Sequence, residues 1–120
     1  MVILEDYREM TTIGFEAVRA CQNPGGKNKT EGFVSSVRQW PGTTYSNSLE
    51  IKLERGGSEE LLCRVYLGDE PLDGICNKIR PNGKSQIVQV GGRYNPGRGS
   101  APHLEVEYIK AGDFEKVFQL

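Results

Sequence analysis

The chain has 120 residues, of which 37% are hydrophobic and 26% are charged, and its formal net charge is −1. This length suits one domain with a modest hydrophobic core, so we expect a single domain over residues 1–120. No apolar stretch approaches the roughly 20 residues of a membrane span, and three cysteines, an odd number, argue against a disulfide framework. We therefore expect a cytoplasmic protein that has no membrane partner.

Residues 1–29 are expected to form an N-terminal segment and a linker. Apolar residues lie near helical spacing at Ile3, Tyr7, Met10, Ala17 and Cys21. The run is interrupted around Gly14, so either one broken helix or a short helix followed by a strand over residues 13–18 fits the pattern. The stretch QNPGGKNK that follows is typical of a turn and linker, and its lysines, Lys27 and Lys29, are expected to be solvated.

Three strands are predicted next. Residues 31–40 indicate a strand with a bend at Ser35 and Ser36, and turn-forming residues fill 41–47. Residues 48–55 then alternate strictly between apolar and polar side chains, which predicts a half-buried second strand. The sequence Gly56-Gly57-Ser58 predicts a hairpin turn into a third strand, EELLCRVYLG.

The apolar period changes after the third strand. Leu72, Ile75, Cys76 and Ile79 fall at i, i+3, i+4 and i+7, which predicts a short amphipathic helix. Asp69 is a candidate N-cap, and Pro71 suits an early helical position.

Two further strands complete the pattern, KSQIVQVGGRY and HLEVEYIKAG. The loop between them is rich in glycine, and Gly92, Gly97 and Gly99 would let the backbone lie close to a ligand. In the C-terminal extension, residues 112–120, the side chains of Phe114, Val117 and Phe118 have helical spacing, which favours a short terminal helix.

This order of three strands, a short helix and two strands resembles the OB-fold, a five-stranded Greek-key barrel. The resemblance covers residues 30–111 and lies in the architecture, because no short motif accompanies it. It implies a mainly β protein in which the helix lies between strands three and four. An SH3-like or other small β-barrel is the alternative fold.

The acidic and basic residues are unevenly distributed. Residues 78–102 carry five bases and no acid, whereas residues 54–77 carry six acids and two bases. A long basic block is a candidate footprint for an anion.

The resemblance implies a ligand groove on strands two and three, between the loop joining strands one and two and the loop joining strands four and five. Binding of single-stranded nucleic acid needs cations along the phosphates and aromatic rings on which bases stack. Residues of both kinds fall in these regions, and the candidate binding residues are Trp40, Tyr45, Lys52, Arg64, Tyr66, Arg93, Tyr94 and Arg98.

Other chemistries lack the patterns that they require. Cysteine and histidine residues are widely spaced, without the paired spacing of a metal site, and Cys63 and Cys76 fall on predicted apolar faces. Two stretches faintly resemble a phosphate-binding loop, residues 92–98 and Gly83-Lys84-Ser85. Neither leads into a predicted helix, as such a loop must. His103, the only histidine, has no nucleophile motif nearby. We therefore expect no enzyme activity, no metal and no cofactor.

The sequence thus predicts a protein that binds single-stranded DNA or RNA with little sequence preference, accessory to nucleic-acid metabolism. The alternative is a protein–protein interaction module, an adaptor or inhibitor, whose acidic stretch 54–77 would meet a basic partner. Exposed edge strands and the N-terminal segment could also support a homo-oligomer.

Overall fold

A computed structural model of the chain describes residues 1–21, 26–39, 47–68, 71–97, 99 and 101–119. Three short α-helices, a 3-10 helix at Pro81–Gly83 and six strands lie within these ranges. In chain order the α-helices and strands are α1 (Leu4–Arg8), α2 (Phe15–Arg19), β1 (Asn28–Gln39), β2 (Ser48–Arg55), β3 (Glu59–Tyr66), α3 (Leu72–Ile79), β4 (Ile87–Asn95), β5 (His103–Ala111) and β6 (Phe114–Val117). No helix in the described part of the chain is long and apolar enough to cross a membrane.

The first five strands close into a barrel. The sheet order is β3-β2-β1-β4-β5-β6, and an additional parallel pairing between β3 and β5 joins its two sides. Every other pairing in the barrel is antiparallel. Since α3 lies between β3 and β4 in the chain, the predicted five-stranded, OB-like Greek-key barrel is confirmed, and the protein is mainly β.

The β2–β3 hairpin follows directly from the sequence pattern. Leu49, Ile51 and Leu53 are buried and lie opposite Val65, Cys63 and Leu61 of β3, respectively. Their polar neighbours alternate to the outer face, as a period of two requires. Gly57 takes a φ of 86° in the connecting turn, a conformation that glycine adopts without a steric penalty.

The helices bury their apolar faces against the barrel. Ile75 and Ile79 of α3 belong to the core, as the predicted stripe requires, while the candidate N-cap Asp69 lies outside the described residues. Pro71 takes the N-cap position itself, one residue before the helix begins. In the N-terminal segment α1 and α2 correspond to the broken-helix alternative, and α2 contributes Phe15 and Val18 to the core.

The helix α1 is held against the outside of the barrel. The ring of Tyr7 stacks on that of Tyr108 with 5.0 Å between their centroids. Lys29 was expected to be solvated, but it is buried and its Nζ donates a hydrogen bond to the carbonyl oxygen of Tyr7 at 2.8 Å. Lys27 forms an ion pair with Glu107 at 3.3 Å. Both lysines therefore attach the N-terminal segment.

Two glycines in β4 allow close packing. The β4–β5 register shifts between Gly91 and Gly92. A Cβ added at Gly91 would overlap the Tyr7 ring, and one added at Gly92 would overlap the carbonyl oxygen of Glu105. The expectation that Gly92 admits a ligand is therefore wrong, because the neighbouring strand occupies that space.

The expected terminal helix is also wrong. Residues Phe114–Val117 form β6, an antiparallel strand that pairs with β5. The turn at Gly112, whose φ is 59°, reverses the chain, and the backbone N–H of Phe118 donates to the carbonyl oxygen of Glu107 at 2.8 Å. Phe118 is buried in the core, so pairing and burial outweigh a local helical spacing.

Candidate functional site

A cleft of about 770 Å³ lies on the outer face of β2 and β3. Four cationic side chains line it, each from a different element: Arg19 of α2, Arg38 of β1, Lys52 of β2 and Arg64 of β3. The carboxylates of Glu50 and Glu60 also line it. The excess of positive charge suits an anionic ligand.

The strand register arranges charged residues in a row across the barrel. Arg38 lies opposite Glu50, Glu50 opposite Arg64, Arg64 opposite Glu105, and Glu105 opposite Arg93. The row follows the strands in the order β1, β2, β3, β5 and β4, and its charges alternate in sign. Opposite charges directly across a strand pair stabilise the pairing by roughly 0.2–1 kcal/mol each.

The carboxylate of Glu50 joins two cations in the cleft. One of its oxygens, Oε1, accepts a hydrogen bond from Nε of Arg38 at 2.7 Å and forms an ion pair with Nη2 of the same guanidinium at 2.6 Å. The other oxygen lies 3.4 Å from Nε of Arg64. Glu60 makes a longer contact, 3.9 Å from Nζ of Lys52, and its backbone carbonyl accepts a hydrogen bond from Nη2 of Arg19.

The β4–β5 connection forms one rim of the cleft. Tyr94, Gly99, Ala101 and Pro102 lie there, and Tyr94 is half-buried against the core. The imidazole of His103 is buried just behind the rim, where its Nδ1 lies 2.8 Å from the carbonyl oxygen of Ala101. Nη1 of Arg64 lies 3.5 Å from the same nitrogen, and Nδ1 cannot both donate to the carbonyl and accept from the guanidinium, so the shorter contact favours donation to Ala101.

The structure brings together three of the predicted binding residues, Lys52, Arg64 and Tyr94. Arg93 lies on the outer face as well, opposite Glu105, but it lines a separate shallow depression with Lys27 and Glu107 and not the cleft. Its nearest charge contact there is with Glu107, at 3.9 Å.

Tyr66 lies at the far end of β3. Its side chain is 43% exposed and lines a separate depression beside Lys116 and Phe118. Trp40, Tyr45 and Arg98, the remaining predicted residues, lie outside the described residues.

Four charged cleft residues escaped the sequence reasoning: Arg19, Arg38, Glu50 and Glu60. Alternation along β1 and β2 places Arg38 and Glu50 on outer faces, but the turn-rich stretch between the strands leaves their register open. The helix α2 has no sequence signal for where it docks, so nothing local could assign Arg19 to the cleft.

No cysteine is among the described residues that line the cleft. Cys63 faces the core of the barrel, and burial raises the pKa of its thiol. Within the described ranges, no group of three or more His, Cys, Asp or Glu side chains could hold a metal ion. The described cleft can bind an anion through its cations and pack a planar group against its rim.

The fold and the cleft together define a small, closed β-barrel with OB-like architecture and a charged groove on β2 and β3. No protein-family model matches the chain, and no curated protein has a significantly similar sequence.

Proposed function

We propose that this protein binds single-stranded DNA or RNA in the cleft on β2 and β3, with little sequence preference. The observation that carries the proposal is the convergence of Arg19, Arg38, Lys52 and Arg64 from four elements on one groove. A phosphodiester backbone carries negative charges at regular intervals. A set of separate cations therefore matches a nucleic-acid strand better than it matches a single small anion.

The rim supports the proposal from a second side. The Tyr94 ring lies next to the cations, and the stacking of a base on an aromatic ring is worth roughly 1–3 kcal/mol whatever the base is. The described lining of the cleft holds no Asn or Gln, the side chains that read an adenine edge, and stacking on an aromatic ring tolerates every base. Little sequence preference is expected for this reason.

The proposal is tested by fluorescence anisotropy with short labelled single strands of DNA and of RNA, at several salt concentrations. Each phosphate contact adds about −0.7 to the slope of log K against log salt for a single strand. We expect a slope of roughly −2 to −3, since four cations line the cleft. No binding of either strand at low salt would refute the proposed function.

A pair of variants locates the site. Lys52→Gln should reduce the magnitude of the salt slope by about 0.7, because one phosphate contact is lost. Lys84→Gln is the matched control. Lys84 is exposed and lies within residues 78–102, which carry no acid, but it does not line the described cleft. Equal effects of the two substitutions would show that general positive charge, and not the cleft, attracts the nucleic acid.

A further inference from the structure

Glu50 is an acidic residue in a cleft that is otherwise suited to anions. Its side chain is only 6% exposed and lies between Arg38 and Arg64, which are its register neighbours on the two adjacent strands. A carboxylate here lowers the positive potential of the groove. Because Glu50 is buried and contacts two arginines, we expect it to have a role that offsets this loss of positive potential.

The contacts hold both guanidinium groups in place. Arg38 approaches one oxygen of Glu50 with two nitrogens, at 2.7 Å and 2.6 Å, although the Arg38 side chain is 65% exposed. Arg64, which is 13% exposed, approaches the other oxygen at 3.4 Å. An arginine has five N–H donors in a rigid fork, so the Arg38 guanidinium, held along one edge by Glu50, still presents its other edge to the cleft, whereas Nη1 of Arg64 lies 3.5 Å from Nδ1 of His103.

Holding Arg38 in advance should strengthen ligand binding. Ordering a long side chain on binding costs conformational entropy, and a side chain that is already ordered avoids that cost. We infer that Glu50, which also contacts Arg64 through its other oxygen, is a positioning residue that fixes the guanidinium group of Arg38 for contact with phosphates. This inference rests on the proposed function.

Glu60 provides a matched comparison within the same cleft. Its side chain is 52% exposed, and its carboxylate lies 3.9 Å from Nζ of Lys52, whose side chain is 43% exposed. An exposed pair of this kind holds neither partner firmly. The Glu60 carboxylate therefore contributes negative charge to the cleft without fixing a cation, and the hydrogen bond from Arg19 to the Glu60 backbone carbonyl does not depend on it.

The two carboxylates should respond oppositely to removal of their charge. Glu60→Gln should raise the affinity for a short single-stranded oligonucleotide slightly, because one repulsive charge is lost. Glu50→Gln should lower the affinity by roughly three- to tenfold, because the Arg38 guanidinium loses its anchor. If Glu50 acted only through its charge, both variants would bind more tightly, so unchanged or raised affinity in Glu50→Gln overturns the inference.

A second measurement uses the protein without oligonucleotide. The Nε–H group of Arg38 should give an ordered NMR signal in the wild type and in Glu60→Gln, and a mobile signal in Glu50→Gln. If Glu50→Gln does not fold, the wild-type signal decides alone, because an Arg38 Nε–H as mobile as that of an unpaired surface arginine overturns the inference. Wild-type protein that binds no oligonucleotide refutes the proposed function, and with it any phosphate role of Glu50. Wild-type binding with no loss in Glu50→Gln refutes the positioning role alone.

Discussion

Two glycines illustrate how the surroundings of a residue decide the effect of adding one methyl group. Gly92 lies where β4 and β5 approach closely, and a Cβ there would overlap the backbone of Glu105. Gly74 lies in the exposed face of α3, and the nearest atom to an added Cβ is the Cβ of Pro71, at 3.9 Å. The same substitution should therefore have opposite effects at the two positions.

Gly74→Ala should stabilise the protein by about 0.5–1 kcal/mol, because alanine favours a helix interior over glycine by this amount. Gly92→Ala should destabilise it by several times as much, since a backbone carbonyl cannot move aside without breaking strand pairing. The free energy of unfolding from urea denaturation checks both. A Gly92→Ala variant as stable as the wild type would contradict the close approach of the two strands.

At the scale of an element, α1 is attached to the barrel through two tyrosines and two carboxylates. The hydroxyl of Tyr7 donates to Glu107 at 2.6 Å, and that of Tyr108 donates to Glu115 at 2.8 Å. Burial, followed by these hydrogen bonds, raises the pKa of both tyrosines. The hydrogen bond from Arg8 is the largest cause that lowers the pKa of Glu115, so α1 and β6 are linked through a charged pair.

The raised pKa of Tyr7 makes the attachment of α1 sensitive to alkali. An unfolded tyrosine ionises near pH 10. Because the folded pKa is higher, the stabilisation is complete below that value and is lost as pH rises above it. The free energy of unfolding should therefore fall above about pH 10.

The variant Tyr7→Phe should show a smaller alkaline loss of stability than the wild type. It should also be less stable at neutral pH by about 1–3 kcal/mol, because the buried Glu107 loses a donor. Tyr66→Phe is the control. Because Tyr66 is exposed, this substitution should leave the dependence of stability on pH unchanged. Superimposable profiles for Tyr7→Phe and the wild type would show that Tyr7 ionises normally.

At the scale of the whole molecule, closure by the β3–β5 pairing distinguishes the five barrel strands from α1 and β6, which are attached to the barrel. Each barrel strand has paired neighbours on both sides. By contrast, β6 is the end strand of the sheet order, and α1 is five residues long and packs on the outside. Opening α1 or β6 leaves the barrel closed, whereas opening a barrel strand breaks two interfaces.

Native-state hydrogen exchange should therefore reveal two levels of stability. Buried amides of β2 and β3, such as those of Ile51 and Cys63, should exchange only through global unfolding. Amides of α1 and β6 should exchange through local opening of lower free energy. Equal protection of α1 and β2 would show that α1 belongs to the same cooperative unit as the barrel.

Much of the barrel could be predicted because its strands carry strong local patterns. Alternation over residues 48–55 and the glycines of the next turn specify a hairpin without reference to the rest of the chain. The period change at Ile75 and Ile79 likewise marks α3. The tail was predicted wrongly because the spacing of Phe114, Val117 and Phe118 fits a helix locally, whereas pairing with β5 depends on a partner that the local pattern does not contain.

The cleft could be predicted only in part. Lys52 and Arg64 follow from strand alternation within one hairpin, whereas only the tertiary structure places Tyr94 in the groove and Arg93 in a separate depression. Nucleic-acid binding and the formation of a homo-oligomer stay predictions. The participation of Trp40, Tyr45 and Arg98 in the binding site also stays a prediction.

The sequence by itself determined the number and order of the barrel strands, the position of α3 and the hydrophobic faces of β2, β3 and α3, because these depend on periodicity and on turn residues close in the chain. Only the tertiary structure decided the register that aligns Arg38, Glu50 and Arg64, the docking of Arg19 and the pairing of β6. These features depend on contacts between residues far apart in sequence. Their energies exceed local propensities, so no local pattern could reveal them.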